Sequence, residues 1–232
     1  MAPVELVEQP VQFLATKSRG DVSGLLLRPA RATCLYVLGH GAGAGMRHPF
    51  MTAIAESLGE VGVATFRYQF PYMEAGGRRP DFRPILLATV RAAVQAAHNL
   101  AGDLPLIAGG KSMGGRMTSL AASQEPLPMI EGLAFLGFPL HPPGSPSTDR
   151  ADHLSNISVP MLFLQGTRDK LADPALMRDV VTGLGATARL VSIDGADHGF
   201  HVLKRSGRTD AGVLTQLAHD LSSWRNDQLV GE

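Results

Sequence analysis

Leu104-Pro105-Leu106-Ile107-Ala108-Gly109-Gly110-Lys111-Ser112-Met113-Gly114-Gly115-Arg116-Met117-Thr118 is the stretch on which the fold turns. Its apolar run, residues 104–108, reads as a buried parallel strand. Gly109-Gly110 is expected to end that strand. Residues 113–122 carry helix formers and no proline, so a helix follows. Between the two lies Gly110-Lys111-Ser112-Met113-Gly114, a G-x-S-x-G. A serine in a tight, strained turn from strand to helix needs glycines two before and two after it, because a Cβ there would strike passing chain. Its hydroxyl then stands clear above the sheet. The helix behind Ser112 offers a positive dipole end and a free amide, that of Met113, to an oxyanion.

Two other motifs compete for neighbouring residues. Gly110-Lys111-Ser112 resembles the end of a phosphate-binding P-loop, but that motif needs glycine where Pro105 stands, and the strand leaves no room for the anion-cradling loop. Upstream, Gly39-His40-Gly41-Ala42-Gly43-Ala44 fits the dinucleotide pattern G-x-G-x-x-A and follows a strand. The next strand ends in Arg67 instead of an acid, as an NADP reader would require. A dinucleotide-binding oxidoreductase is therefore the enzymatic rival. It requires a helix to open directly at this loop, whereas Pro49 marks a later start.

The chain has 232 residues and no linker, repeat or low-complexity tract, which is read as a single domain over 1–232. Its 44% hydrophobic content supports a sizeable core. Net charge is zero, with no basic stripe for nucleic acid. The one cysteine, Cys34, lies in an apolar strand and reads as a buried, inert thiol. No signal peptide and no run long enough for a membrane helix is visible, so a soluble cytoplasmic protein is expected.

Residues 3–15 and 21–28 are β-leaning and read as an antiparallel pair. From residue 32 onward strands (32–38, 61–68, 104–108, 130–138, 161–164, 188–193) alternate with helices (49–58, 84–101, 113–122, 174–184, 211–224). That alternation calls for a mainly parallel sheet with helices on both faces. Residues 69–81 and 140–158 read as loops, the second too short for a helical lid. In such sheets reactive groups gather at the carboxyl ends of the strands.

Acyl transfer by serine needs a base, a group that orients the base, and oxyanion donors. Asp169 follows Ser112 at one strand end and His198 follows Asp169 at the next, the order serine, acid, histidine. With His40-Gly41-Ala42-Gly43, Gly109-Gly110-Lys111-Ser112-Met113-Gly114-Gly115 and Gly166-Thr167-Arg168-Asp169 in place, the chain resembles the α/β-hydrolase superfamily, in its small, cap-poor, dienelactone-hydrolase-like form, over nearly its whole length. Dienelactone hydrolases proper carry a cysteine nucleophile, so that activity is not carried over. The resemblance implies an α/β-hydrolase fold without a large cap, Ser112 as nucleophile, His198 as base and Asp169 as its orienter. The amides of Met113 and Ala42 are the oxyanion donors it implies. The expected activity is hydrolysis of a small ester, thioester or amide through an acyl-enzyme, with no cofactor, no metal, a small-molecule acyl substrate, and neither nucleic acid nor membrane as partner. A silent hydrolase fold serving as a scaffold is the non-enzymatic alternative.

The remaining candidates are weighed against blander roles. Asp173 is the better helix cap for Pro174 and the fallback for the acid, and His201, the rival of His198, lies past the turn that holds it. His40 is expected to shape the oxyanion loop. Lys111 reads as a helix-start lysine that reaches solvent, and Arg78, Arg79 and Arg83 as a solvated surface. Tyr72 and Met73, in the loop at the carboxyl edge of the sheet, are expected to line the substrate pocket, and Phe138 and Phe200 are similar candidates. His48, His98, His141, His153 and His219 read as surface or loop residues.

Overall fold

A computed structural model describes residues 6–229. The first two strands, β1 (Glu8–Thr16) and β2 (Gly20–Leu27), pair antiparallel, as expected; residues 3–5 of the predicted first strand lie outside the described residues. Then come β3 (Cys34–Gly39), α1 (Pro49–Glu60), β4 (Val63–Tyr68), a short α2 (Pro71–Glu74), α3 (Arg83–Ala101), β5 (Leu106–Lys111) and α4 (Met113–Gln124). The chain closes with β6 (Ile130–Leu136), β7 (Met161–Gly166), α5 (Pro174–Leu184), β8 (Ala188–Ile193) and α6 (Asp210–Leu229). All eight strands form one sheet in the order β1-β2-β4-β3-β5-β6-β7-β8, parallel from β4 to β8. The expected loops are not wholly irregular: 69–81 holds α2, and 140–158 holds a 3-10 turn at Asp152–Asn156.

The five central strands β3 to β7 are buried along almost their whole length, which explains why their sequences are continuous apolar runs without alternation. Each face of the sheet has its own core. On one, α1 and α6 bring Met51, Ile54, Leu58, Leu217 and Trp224 against Tyr36, Ile107 and Leu162. On the other, α3, α4 and α5 bring Val90, Val94, Met117, Leu120 and Met177 against Val37, Ala108 and Phe135. The site lies at the carboxyl edge of the sheet, beside the starts of α1 and α6.

β5 runs farther than its sequence suggests. Gly109 and Gly110 do not end the strand; they continue it to Lys111, with Gly110 opposite Gly39 on β3 and Phe135 on β6. They are glycines because of crowding. A Cβ on Gly110 would lie 2.2 Å from the Gly39 carbonyl oxygen, and one on Gly114 would lie 2.3 Å from that same atom. Three segments, β3, β5 and the first turn of α4, thus pass at backbone-to-backbone contact. Gly114→Ala is expected to destabilise the protein by about 3 kcal/mol or more, the upper range for overpacking against atoms that cannot yield; urea denaturation of the variant measures this.

Candidate active site

Ser112 forms the link between β5 and α4 and is held at φ 50°, a left-handed backbone conformation unusual for a residue with a side chain. Its amide donates to the Leu136 carbonyl on β6 at 3.1 Å. Its Oγ lies 2.9 Å from His198 Nε2, and His198 Nδ1 lies 2.7 Å from Asp169 Oδ2. A carboxylate only accepts, so Nδ1 carries the proton and Nε2 is left to accept from the serine hydroxyl. The structure therefore brings together the three residues singled out from sequence, each from a different strand end.

Asp169 is buried, at 5% exposure, and both its oxygens are engaged. Oδ1 accepts from the Leu171 amide at 2.8 Å, and Oδ2 accepts from Gln165 Nε2 at 2.6 Å as well as from His198. Gln165, which the sequence reading passed over, is the last-but-one residue of β7, so its side chain is fixed by the strand that delivers the carboxylate. Asp173 instead caps α5, its side chain accepting from the Ala175 and Leu176 amides. His201 is not at the serine: it bonds Asp210 at 2.6 Å, at the start of α6.

The glycine-rich loop after β3 is braced from behind. His40 is fully buried, accepts from the Phe70 amide through Nε2 at 3.1 Å and donates from Nδ1 to the Gly41 carbonyl at 2.8 Å. Burial pushes its pKa down to about 4, so it is a neutral structural imidazole. Tyr72 Oη accepts from the Gly43 amide at 3.1 Å. Ala42 and Gly41 face the same cavity as Ser112. Met113 is the first residue of α4, where an amide has no acceptor within the helix. The loop does not open a helix, since α1 begins at Pro49, and Arg67 is turned inward, donating to the Met46 carbonyl and the Thr52 hydroxyl. Neither feature fits the dinucleotide reading.

A cavity of about 620 Å³ adjoins Ser112 and His198. It lies between the starts of α1 and α6, and its walls are chiefly apolar: Pro49, Phe50, Met51, Leu171, Phe200 and Leu214. Phe50 and Phe200 stack, with ring centroids 5.7 Å apart and planes 13° from parallel. Tyr72 and Met73 do not line it. Tyr72 is drawn inward by the Gly43 amide and the His40 ring, and Met73 packs beside Gly45 and the core, so both support the loop from its far side. Phe138 is likewise a core residue, packed on Phe135 and Phe163, whereas Phe200 does wall the cavity. His48 lies at the cavity and caps α1, its ring accepting from the Phe50 amide. His141, buried, accepts from the Asp173 amide.

Lys111 departs most from expectation. It is buried, at 8% exposure, and its Nζ donates to the backbone carbonyl of His198 at 2.6 Å. The ammonium also lies 5.8 Å from the Phe50 ring centre and 5.4 Å from that of Phe200, within cation–π range. Gly137 leaves room for it: a Cβ there would lie 3.0 Å from Nζ. The residue before the serine thus holds the backbone of the histidine.

Residues 32–226 match the family model described as an alpha/beta hydrolase domain. Among solved structures, a dienelactone hydrolase from Anabaena variabilis is similar, with TM-score 0.75, 22% identity, and 96% of this chain and 98% of that chain covered. So is a Xanthomonas campestris protein described as an α/β serine hydrolase without a lid, with TM-score 0.71, 20% identity and 97% of both chains covered. Est1E from Butyrivibrio proteoclasticus shares the fold at TM-score 0.70 and 17% identity, over 95% of this chain and 99% of that one. No described helix is long and apolar enough to cross a membrane.

Burial pushes the Lys111 ammonium down from the usual 10.5 to about 8, against the opposing pull of Asp169 and Asp197. Between those values the unfolded chain holds a proton that the folded chain has released, so stability rises with pH across that window. The cost of burying the cation, on the order of 3 kcal/mol, is fully present below pH 8 and is relieved above it. Lys111→Met is expected to abolish this rise, which urea midpoints of both proteins between about pH 7 and about pH 10 measure.

Proposed function

The chain belongs to the alpha/beta hydrolase domain family, and from that premise we propose that it is a serine hydrolase of the carboxylesterase type, acting as a single domain through Ser112, His198 and Asp169. The observation that carries the reading is the hydrogen-bonded series Ser112 Oγ–His198 Nε2 at 2.9 Å and His198 Nδ1–Asp169 Oδ2 at 2.7 Å, opening on an apolar cavity. Ser112 attacks the ester carbonyl while His198 Nε2 takes its proton. The amides of Met113 and Ala42 donate to the oxygen that becomes negative; one such donor is typically worth ~10²–10³ in rate. The bond to the leaving oxygen then breaks, and His198 returns the proton to that oxygen. Water, activated by the same imidazole, releases the acid and restores the serine. Asp169 holds the tautomer that makes Nε2 a base.

The cavity supports an apolar acyl group. About 620 Å³ with stacked Phe50 and Phe200 in its wall suits a short aliphatic or an aryl acid. Lys111 shares that wall but is committed to the His198 carbonyl, so it acts as a positioning residue and not as a second nucleophile. No cofactor enters this chemistry.

Labelling by a fluorophosphonate probe tests the reading. Wild type is expected to label rapidly, Ser112→Ala not at all, and His198→Ala at least ~10²-fold more slowly, the usual scale for losing a general base. A folded wild type that fails to label would make the chain a silent hydrolase fold.

A further inference from the structure

The walls of the cavity at Ser112 are chiefly apolar, but part of its lining is not. Apart from Ser112, His198 and Lys111, the polar side chains that line it are His48, His201 and Asp210. His48 spends its Nδ1 on the Phe50 amide as the cap of α1. His201 and Asp210 form a pair of their own, both exposed, with Nδ1 2.6 Å from Oδ2. Asp210 is the first residue of α6, and its other oxygen accepts from the Val202 amide at 2.9 Å.

The loop does not need the His201 ring to hold its shape. The amide of His201 donates to Asp197 Oδ1 at 3.0 Å, its carbonyl accepts from the Asp197 amide at 3.0 Å, and Ala196 bridges to Val202. What the Asp210 carboxylate adds is the orientation of the imidazole. Nδ1 must donate to it, so Nε2 is the nitrogen left over, and among the described residues nothing bonds to Nε2. Gly199, the cavity residue directly after His198, leaves that edge of the ring uncovered. A Cβ on Gly199 would lie 3.0 Å from His201 Cδ2 and 3.5 Å from its Nε2.

A free polar atom in the lining of an apolar cavity selects for the ligand group that can bond to it. The hydrogen bond to Asp210 raises the pKa of His201 from the usual 6.5, so Nε2 is a lone pair in one protonation state and an N–H in the other. A hydroxyl serves both states, donating to the first and accepting from the second. A carboxylate would meet the charge of Asp210, and an ammonium that of Lys111 on the same cavity. Resting on the hydrolase reading above, we propose that His201, oriented by Asp210, is a specificity-determining residue that binds a hydroxyl on the acyl group, remote from the ester. The substrate class is then an ester of a hydroxy acid: its apolar chain lies along Phe50, Phe200 and Leu214, and its hydroxyl reaches His201 Nε2.

Two pairs of esters test this: ethyl hexanoate with ethyl 6-hydroxyhexanoate, and ethyl octanoate with ethyl 8-hydroxyoctanoate. Within each pair the hydroxyl is too far from the carbonyl to alter its reactivity, so the ratio of kcat/KM values, hydroxy ester over parent, reads recognition alone. In wild type that ratio is expected to be one or more in at least one pair, although the hydroxy acid is the less hydrophobic. In His201→Phe and His201→Leu it is expected to fall at least fivefold, and His201→Gln, whose amide both donates and accepts, is expected to recover part of it. Rejection of the hydroxyl in both pairs by wild type overturns the inference, as does a ratio unchanged in the Phe and Leu variants. A fall in both esters of a pair alike would mark His201 as merely structural and overturns it too. So does a wild type that labels with fluorophosphonate yet hydrolyses none of the four. A folded wild type that does not label refutes the hydrolase reading instead.

Discussion

Backbone contact among β3, β5 and the first turn of α4 is the constraint on which the rest depends. The Gly39 carbonyl oxygen lies where a Cβ of either Gly110 or Gly114 would be. Only with both side chains absent do the strand and the helix approach closely enough to leave Ser112 in its left-handed turn. That approach also fixes the distance from the serine to the loop after β3, because Gly39 is the last residue of that strand. Ala42 and Met113 are held in one frame by the same contact. The strain at Ser112 is sustained by packing on both faces of the sheet.

The histidine is held on three sides by different chemistry. Its ring is oriented by a buried carboxylate whose two oxygens are already occupied by Gln165 and the Leu171 amide. Its backbone is drawn toward the elbow by the Lys111 ammonium. Its loop is closed by a bridge between Ala196 and Val202 and by Asp197, which accepts from the Gly199 and His201 amides. A loop so cross-tied presents the imidazole in one orientation before any substrate arrives, so little reorganisation is left for the reaction step.

Much of this was legible in the sequence because the features concerned are local. Continuous apolar runs marked the buried strands, Pro49 and Pro174 marked helix starts, and glycine spacing marked the elbow. What was misread depends on which way a side chain leaves the backbone. Lys111 was expected in solvent, yet it is the last residue of a strand covered on both faces, so neither direction led outward. Tyr72 and Met73 stand at the right edge of the sheet but inside a short helix that turns them toward the glycine-rich loop after β3. Gln165 carried no motif at all; its significance lies in its bond to Asp169.

The sheet order β1-β2-β4-β3-β5-β6-β7-β8 has a consequence for how the protein is made. Ser112 comes from the fifth strand, Asp169 from beyond the seventh, and His198 from beyond the eighth. A chain emerging from its amino end can assemble the elbow, the glycine-rich loop after β3 and several central strands while the imidazole has yet to be synthesised. On the proposed reading the serine has no base through most of biosynthesis, and gains one only as the last strand and α6 dock. Long-range closure of this kind is the slow part of folding, so the appearance of a reactive serine would time the final step of assembly.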